Sequence, residues 1–111
     1  MDAIKHATLK VFISQPMNGK SDTEIEKDRS RAIDDVTSLA KDVGYDVEII
    51  DSFIKSTPHE ANPVWYLGES IKLMSNADVI YFVKGWENTR GCTIEKMIAE
   101  TYKLGVSIFE K

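Results

Sequence analysis

The segment Ala77 to Lys84, ADVIYFVK, is an almost unbroken apolar run bounded by polar residues. It is too short for a buried helix and rich in β-branched and aromatic side chains, so it reads as a strand covered on both faces. Strands of that kind belong to the interior of parallel sheets. Parallel neighbours cannot be joined by tight turns, and each pair needs a crossover, usually a helix. A chain containing this segment must therefore supply helices between its strands.

The remaining elements fit that demand. Leu9 to Ser14, LKVFIS, reads as the first strand and stops just before Pro16. QPMNGK follows as a loop of turn-forming residues. Ser21 with Glu24 three positions later forms a capping box, which predicts a helix start. Ile25, Ala32, Ile33, Val36, Leu39, Ala40 and Val43 recur at helical spacing, and Gly44 supplies a stop. Tyr45 to Ile50 is a second strand, and Asp51 to Asn62 a loop. Pro63 suits the first turn of a second helix, whose stripe is Val64, Leu67, Ile71 and Met74. Gly68 within it predicts a close approach by another element. After the central strand comes a loop, Gly85 to Gly91. A third helix runs from Cys92 to Leu104 with Ile94, Met97, Ile98 and Thr101 inward, then Gly105 and a fourth strand, Val106 to Phe109.

The order βαβαβαβ predicts one α/β domain over residues 1–111, with residues 1–8 as an N-terminal tail. It is a three-layer α/β/α sandwich of flavodoxin-like type. Its four-stranded parallel sheet has the order 2-1-3-4, which puts the switch point between the first and third strands. Ligands of such sheets bind outside the carboxyl ends of the strands at that point. The expected pocket residues are therefore Ser14, Gln15, Pro16, Met17, Asn18, Gly19 and Lys20 from the first loop, and Trp86, Glu87, Asn88, Thr89, Arg90 and Gly91 from the loop after the third strand, with part of the loop Asp51 to Asn62 also lining the site.

Glu95 stands one turn into the third helix, beside the expected core stripe. A helix N-terminus stabilises a carboxylate, so a low pKa suited to a nucleophile is expected there. The same residue also reads simply as an acidic side chain placed for helix stability. Asn18 to Ser21, leading into a helix start, read equally as an anion site, with Lys20 or Arg90 adding charge, and as a plain turn and cap. Trp86 reads as a site wall or as a loop anchor, and Tyr66 as a stacking surface or a packing residue. Asp78 reads as a strand-edge residue. Cys92 and His59 make no convincing nucleophile pair, because a lone small thiol is commonly just buried.

Ala77 to Ala99, ADVIYFVKGWENTRGCTIEKMIA, pairs an apolar strand led by Ala-Asp with Gly-x-x-x-Glu on a helix. That pattern resembles the nucleoside 2-deoxyribosyltransferase superfamily, and KVFISQPMNGK resembles its first strand and loop. SQPMNGK, VEIIDSF and KGWENTRGCTIE are most similar to a branch of small proteins, often encoded by phages and bacteria, that carries the label DUF4406. The resemblance spans Leu9 to Glu110. It implies that Gly91 and Glu95 match the superfamily's Gly-x-x-x-Glu, whose carboxylate attacks C1′ of the sugar and displaces the base. The transferases carry a base-contacting Asp where this chain has Thr89, and another Asp at the position aligned with Ser70. Glu87 is the nearest acid for a departing base. The implied activity is cleavage or transfer of an N-glycosidic bond of a (deoxy)nucleoside or nucleoside monophosphate, with hydrolysis of the monophosphate fitting better than base exchange. The alternatives are a nucleotide-binding module without chemistry and an oligomeric scaffold with a relic pocket. No cofactor is implied, and a homo-oligomer is expected, since sites of this superfamily are commonly completed by a neighbouring subunit.

Composition narrows the remaining classes. Fourteen basic against eighteen acidic residues leave a net charge of −4, unlike the clustered positive charge of a duplex nucleic-acid or anionic-membrane binder. No apolar run approaches the ~20 residues a membrane span needs, and Met1 to Thr8 do not read as a signal peptide. One cysteine permits no internal disulfide, and a reduced, cytoplasmic setting is the expectation. His6, His59 and the scattered acids form no metal-binding pattern.

Overall fold

The structure, a computed structural model, describes residues 7–51 and 62–111. The readings attached to His6, His59 and most of the loop after the second strand lie outside the described residues. Among the described residues four strands and three helices alternate: β1 (Thr8–Ser14), α1 (Asp22–Asp42), β2 (Asp46–Ile49), α2 (Pro63–Met74), β3 (Val79–Phe82), α3 (Arg90–Thr101) and β4 (Val106–Phe109). Every strand pair is parallel, and the order is β2-β1-β3-β4. This is the flavodoxin-like arrangement expected from the element order. β1 begins at Thr8, inside the segment read as a tail.

Alternation along the strands divides the core into two layers. Val11 and Ile13 of β1 with Val79, Tyr81 and Val83 pack against Ala32 and Val36 of α1. Phe12, Ile80 and Phe82 face the other way, against Met74 of α2 and Ala99 of α3. One helix thus covers one face and two helices the other, as right-handed crossovers require when the chain first moves outward to β2 and then back across to β3 and β4. All four residues of β3 are buried, whereas the edge strands β2 and β4 are only partly covered.

Local chemistry sets the helix ends. Ser21 Oγ accepts the Glu24 N–H at 3.2 Å while Glu24 Oε1 accepts the Ser21 N–H at 3.2 Å, a complete capping box. Asn62 Oδ1 accepts the Trp65 N–H at 2.9 Å ahead of Pro63. α3 starts at Arg90 rather than Cys92, and a single 3-10 turn, Trp86–Asn88, occupies part of the expected loop. Asp78 closes the entry to β3 onto β1: its carboxylate accepts the Lys10 N–H at 2.8 Å, and its own N–H donates to the Lys10 carbonyl at 2.7 Å.

The inward face of α3 is not the expected one. Ile94, Met97 and Thr101 are exposed, and the buried line is Cys92, Glu95 and Ala99, with Ile98 partly covered. Small side chains at 92 and 99 let the helix approach the sheet, and this phase turns a carboxyl inward. Val64 and Val43 are likewise exposed. A side chain at Gly68 would meet no neighbour within 4 Å, so no close approach explains that glycine among the described residues.

Gly105 is different. It has φ +54°, and a Cβ there would collide with the Asp78 carbonyl oxygen and stand 2.7 Å from its carbon. That same oxygen accepts the Val106 N–H at 2.9 Å. Gly105→Ala must therefore push β4 off the start of β3. Urea denaturation of this variant is expected to show a loss of at least about 2 kcal/mol, combining left-handed strain with displaced backbone.

Candidate functional site

A cavity of about 500 Å³ opens at the carboxyl ends of β1 and β3, where the strand order reverses. Its first wall is the end of β1 and the following loop: Phe12, Ile13, Ser14, Gln15, Met17 and Asn18. Its second is one side of α2: Pro63, Tyr66, Leu67 and Ser70. Its third is the approach to α3 and its start: Asn88, Thr89, Arg90, Gly91, Cys92 and Glu95. Its volume lies within the range of ordinary small-molecule sites.

Of the residues expected from the sequence, Ser14, Gln15, Met17, Asn18, Asn88, Thr89, Arg90, Gly91 and Glu95 line this cavity. Pro16, Gly19, Lys20, Trp86 and Glu87 do not. Pro16 lies beside Gly85, joining the two loops: a Cβ on Gly85 would stand 3.7 Å from Pro16 Cγ. Gly19, at φ +79°, lies in the turn closed by the Lys20 N–H on the Met17 carbonyl, 3.1 Å. The Lys20 ammonium is drawn away to Asp28, Nζ to Oδ2 2.5 Å. Trp86 takes the anchor role. Its ring packs against Phe82 and Phe109 at 5.6 and 5.2 Å, with the Lys96 ammonium 5.6 Å from its centre. Glu87 is exposed outside the cavity.

Of the α2 wall, Tyr66 was expected only as one of two readings and Ser70 only through the resemblance, while Pro63, Leu67 and Cys92 were missing from the expected pocket. The topology carried a usable signal: each helix of a parallel sheet begins at the carboxyl end of the preceding strand, so the first turns of α2 must border the same crevice as those of α3.

Glu95 is 6% exposed, and its Oε1 accepts a hydrogen bond from Ser14 Oγ at 2.7 Å. Burial pushes its pKa up to about 7, and the Ser14 hydroxyl only partly offsets this. The low pKa expected from the helix N-terminus is thereby corrected. Glu95 is the sixth residue of α3, beyond the first turn where the dipole acts, and desolvation under the sheet outweighs what remains. Burial also raises the Cys92 thiol, which lies within hydrogen-bonding reach of Ser14 and Thr89.

Two further features adjoin the cavity. Gln15 Nε2 donates to the Ile25 carbonyl at 3.0 Å, which leaves its buried Oε1 without a hydrogen-bond partner among the described residues. The two helix starts differ. Ser21 and Glu24 satisfy the start of α1, whereas α3 has no side-chain cap, and Thr89 Oγ1 donates to the Trp86 carbonyl at 3.2 Å. Unused N–H groups and Arg90 therefore border the cavity at α3 rather than at α1. Among the described residues no group of three His, Cys, Asp or Glu side chains is placed to hold a metal ion, and no helix is long and apolar enough to cross a membrane.

A doubly wound α/β domain with a buried carboxyl at its switch point is the class these observations define. Within it, the chain belongs to the family described as a domain of unknown function, DUF4406, which matches residues 9–108. No curated protein matches the chain.

The Glu95 environment has a consequence for stability. Its folded pKa, about 7, lies above the ordinary value of 4.5, so between those pH values the folded state holds more proton than the unfolded state. Stability therefore falls as pH rises through this window and stays lower above it. Glu95→Gln removes that loss. Denaturation near pH 8 is expected to show the variant more stable by about 3 kcal/mol, with the difference vanishing below about pH 4.5.

Proposed function

We propose that this protein cleaves or transfers the N-glycosidic bond of a (deoxy)nucleoside or nucleoside monophosphate, with Glu95 as nucleophile, and that it is related to the nucleoside 2-deoxyribosyltransferase superfamily. The observation that carries the reading is the Glu95 carboxyl itself: buried, bonded to Ser14 and bordering a cavity at the switch point. It belongs to the Gly91-x-x-x-Glu95 pattern on which the resemblance rests.

In this mechanism the ionised carboxylate forms a bond to C1′ as the C1′–N bond breaks. The bonding pair leaves with the base, which takes a proton from solvent. Water then attacks C1′, the Glu95–C1′ bond breaks, and the water's second proton is released. A second base in place of water gives transfer. The carboxylate divides one hard displacement into two easier ones, as in retaining glycosidases. With a pKa of about 7, roughly half the molecules hold the ionised form at neutral pH. Positive charge developing on the sugar favours that form further.

Tyr66 offers the base an aromatic face, and Arg90 with the uncapped start of α3 offers a 5′-phosphate its partners. Ser70 and Thr89, where the transferases carry acids, both border the cavity, so Glu95 is the one carboxyl among its described lining residues. Hydrolysis of a monophosphate therefore fits better than base exchange. The same lack of a second acid favours the alternative, a nucleotide-binding module without chemistry. The proposal includes a homo-oligomer, and a monomer by light scattering counts against that part.

Wild type and Glu95→Gln are to be incubated with a panel of deoxynucleoside monophosphates, with base release followed by chromatography and binding by calorimetry. Base release by wild type alone is the expected result; tight binding with release by neither protein establishes the binding module instead. For the enzyme, kcat/KM should rise about tenfold per pH unit below about 7 and level off above, because the nucleophile must be ionised. A profile falling through the same range would give Glu95 the role of acid. Arg90→Ala should raise KM for a monophosphate about tenfold more than for its nucleoside, the worth of one charge-assisted hydrogen bond.

A further inference from the structure

We propose that Ser14 is the positioning residue of this site: its hydroxyl holds Glu95 by Oε1 so that Oε2 is the oxygen presented for reaction. The inference rests on the proposed role of Glu95 and changes the part assigned to Ser14, from substrate contact to partner of the nucleophile.

Ser14 is the last residue of β1 and is 1% exposed. It pairs in register with Phe82 of β3, and its carbonyl accepts the Val83 N–H at 2.9 Å. The central strand pair itself thus fixes where Oγ stands. A serine hydroxyl has one proton to donate, and here it goes to Glu95 Oε1 at 2.7 Å, so none is left for a ligand. Glu95 Oε2 has no hydrogen-bond partner among the described residues, and Glu95 lines the cavity.

This asymmetry holds in both protonation states. In the neutral acid, Ser14 donates to the carbonyl-type oxygen Oε1, and the acid proton resides on Oε2. In the carboxylate, Oε1 keeps the Ser14 proton, and Oε2 carries the free lone pairs. Either way the chemistry passes through Oε2. Ser14 of β1 bonds Glu95 directly, and the titratable or charged groups that share the cavity lining with it are Cys92 and Arg90 from α3 and Tyr66 from α2. Burial keeps the Cys92 thiol protonated, and it lies within reach of Ser14.

The test follows Glu95 directly, by infrared difference spectroscopy of its carboxyl band across pH, with Glu95→Gln as the subtraction reference. Ser14→Ala is expected to raise the titration midpoint by about one pH unit, the loss of one hydrogen bond to a charge. Ser14→Thr, which keeps the hydroxyl, is expected to restore the wild-type midpoint. In base release, Ser14→Ala should lower kcat by about tenfold or more while KM changes by less than about twofold. An unmoved midpoint in a Ser14→Ala protein with native circular dichroism overturns the proposal, and so does a raised KM with unchanged kcat, which marks a substrate contact. Should Ser14→Ala fail to fold, Ser14→Cys, close in size and a weaker donor, is read in the same direction. If no nucleotide in the panel loses its base, the enzymatic reading fails, while the infrared midpoint still decides whether Ser14 holds Glu95.

Discussion

The pairing of β1 with β3 is the constraint on which the rest of this structure depends. These two strands are far apart in the chain, yet they lie side by side in parallel register, Ser14 opposite Phe82. To bring them together the chain must leave β1 in one direction, form β2, and return across the other face. That path puts α1 alone on one side and α2 with α3 on the other. It also opens the crevice at the strands' carboxyl ends, because the loops after β1 and β3 turn to opposite faces there. The burial of both strands and the placement of the site are thus consequences of one arrangement.

The site carries costs that the rest of the protein must offset. Glu95 is a carboxyl held out of water with one hydrogen-bond donor, and Gln15, next to Ser14, buries an oxygen with no partner among the described residues. An unsatisfied buried polar group costs about 1–3 kcal/mol. A desolvated carboxyl and an unpartnered amide oxygen lining one cavity are the pattern of a place where stability has been given up for another purpose. The charged network on the opposite face is of another kind. Arg31 forks onto Glu110 and also reaches Asp28, which holds Lys20, but Arg31 is half exposed. Exposed pairs of that type contribute little each. Their effect is to tie the end of β4 to α1, and Glu110 extends the tie by accepting the Lys84 N–H just past β3.

Local patterns were legible where the interaction that sets them is local. Ser21 and Glu24 announce a capping box because both partners lie within one turn, and the box is present. The apolar run around β3 announces burial on both faces, and the strand is wholly buried. Two pocket segments followed from topology, and nine of the named residues border the cavity. The failures have a common physical origin. Lys20 looked available as a cation because Asp28 is a helical turn and more away, and Trp86 looked available as a wall because Phe109 is remote in sequence. The phase of α3 was misjudged because apolar Ile94 and Met97 outweighed Cys92 and Ala99 on a hydrophobic scale, whereas packing selected the small side chains.

From the chain alone came the order of strands and helices, the parallel sheet, the helix caps and the crevice where unusual residues gather. Each of these depends on spacings of two to four residues or on rules of connection, which a linear string contains. The folded molecule alone decided that Glu95 faces inward and is half protonated near neutral pH, that Ser14 holds it, and which loop side chains border the cavity. Those outcomes depend on desolvation and on hydrogen bonds between residues as far as 81 positions apart, and such proximities do not exist until the sheet has closed.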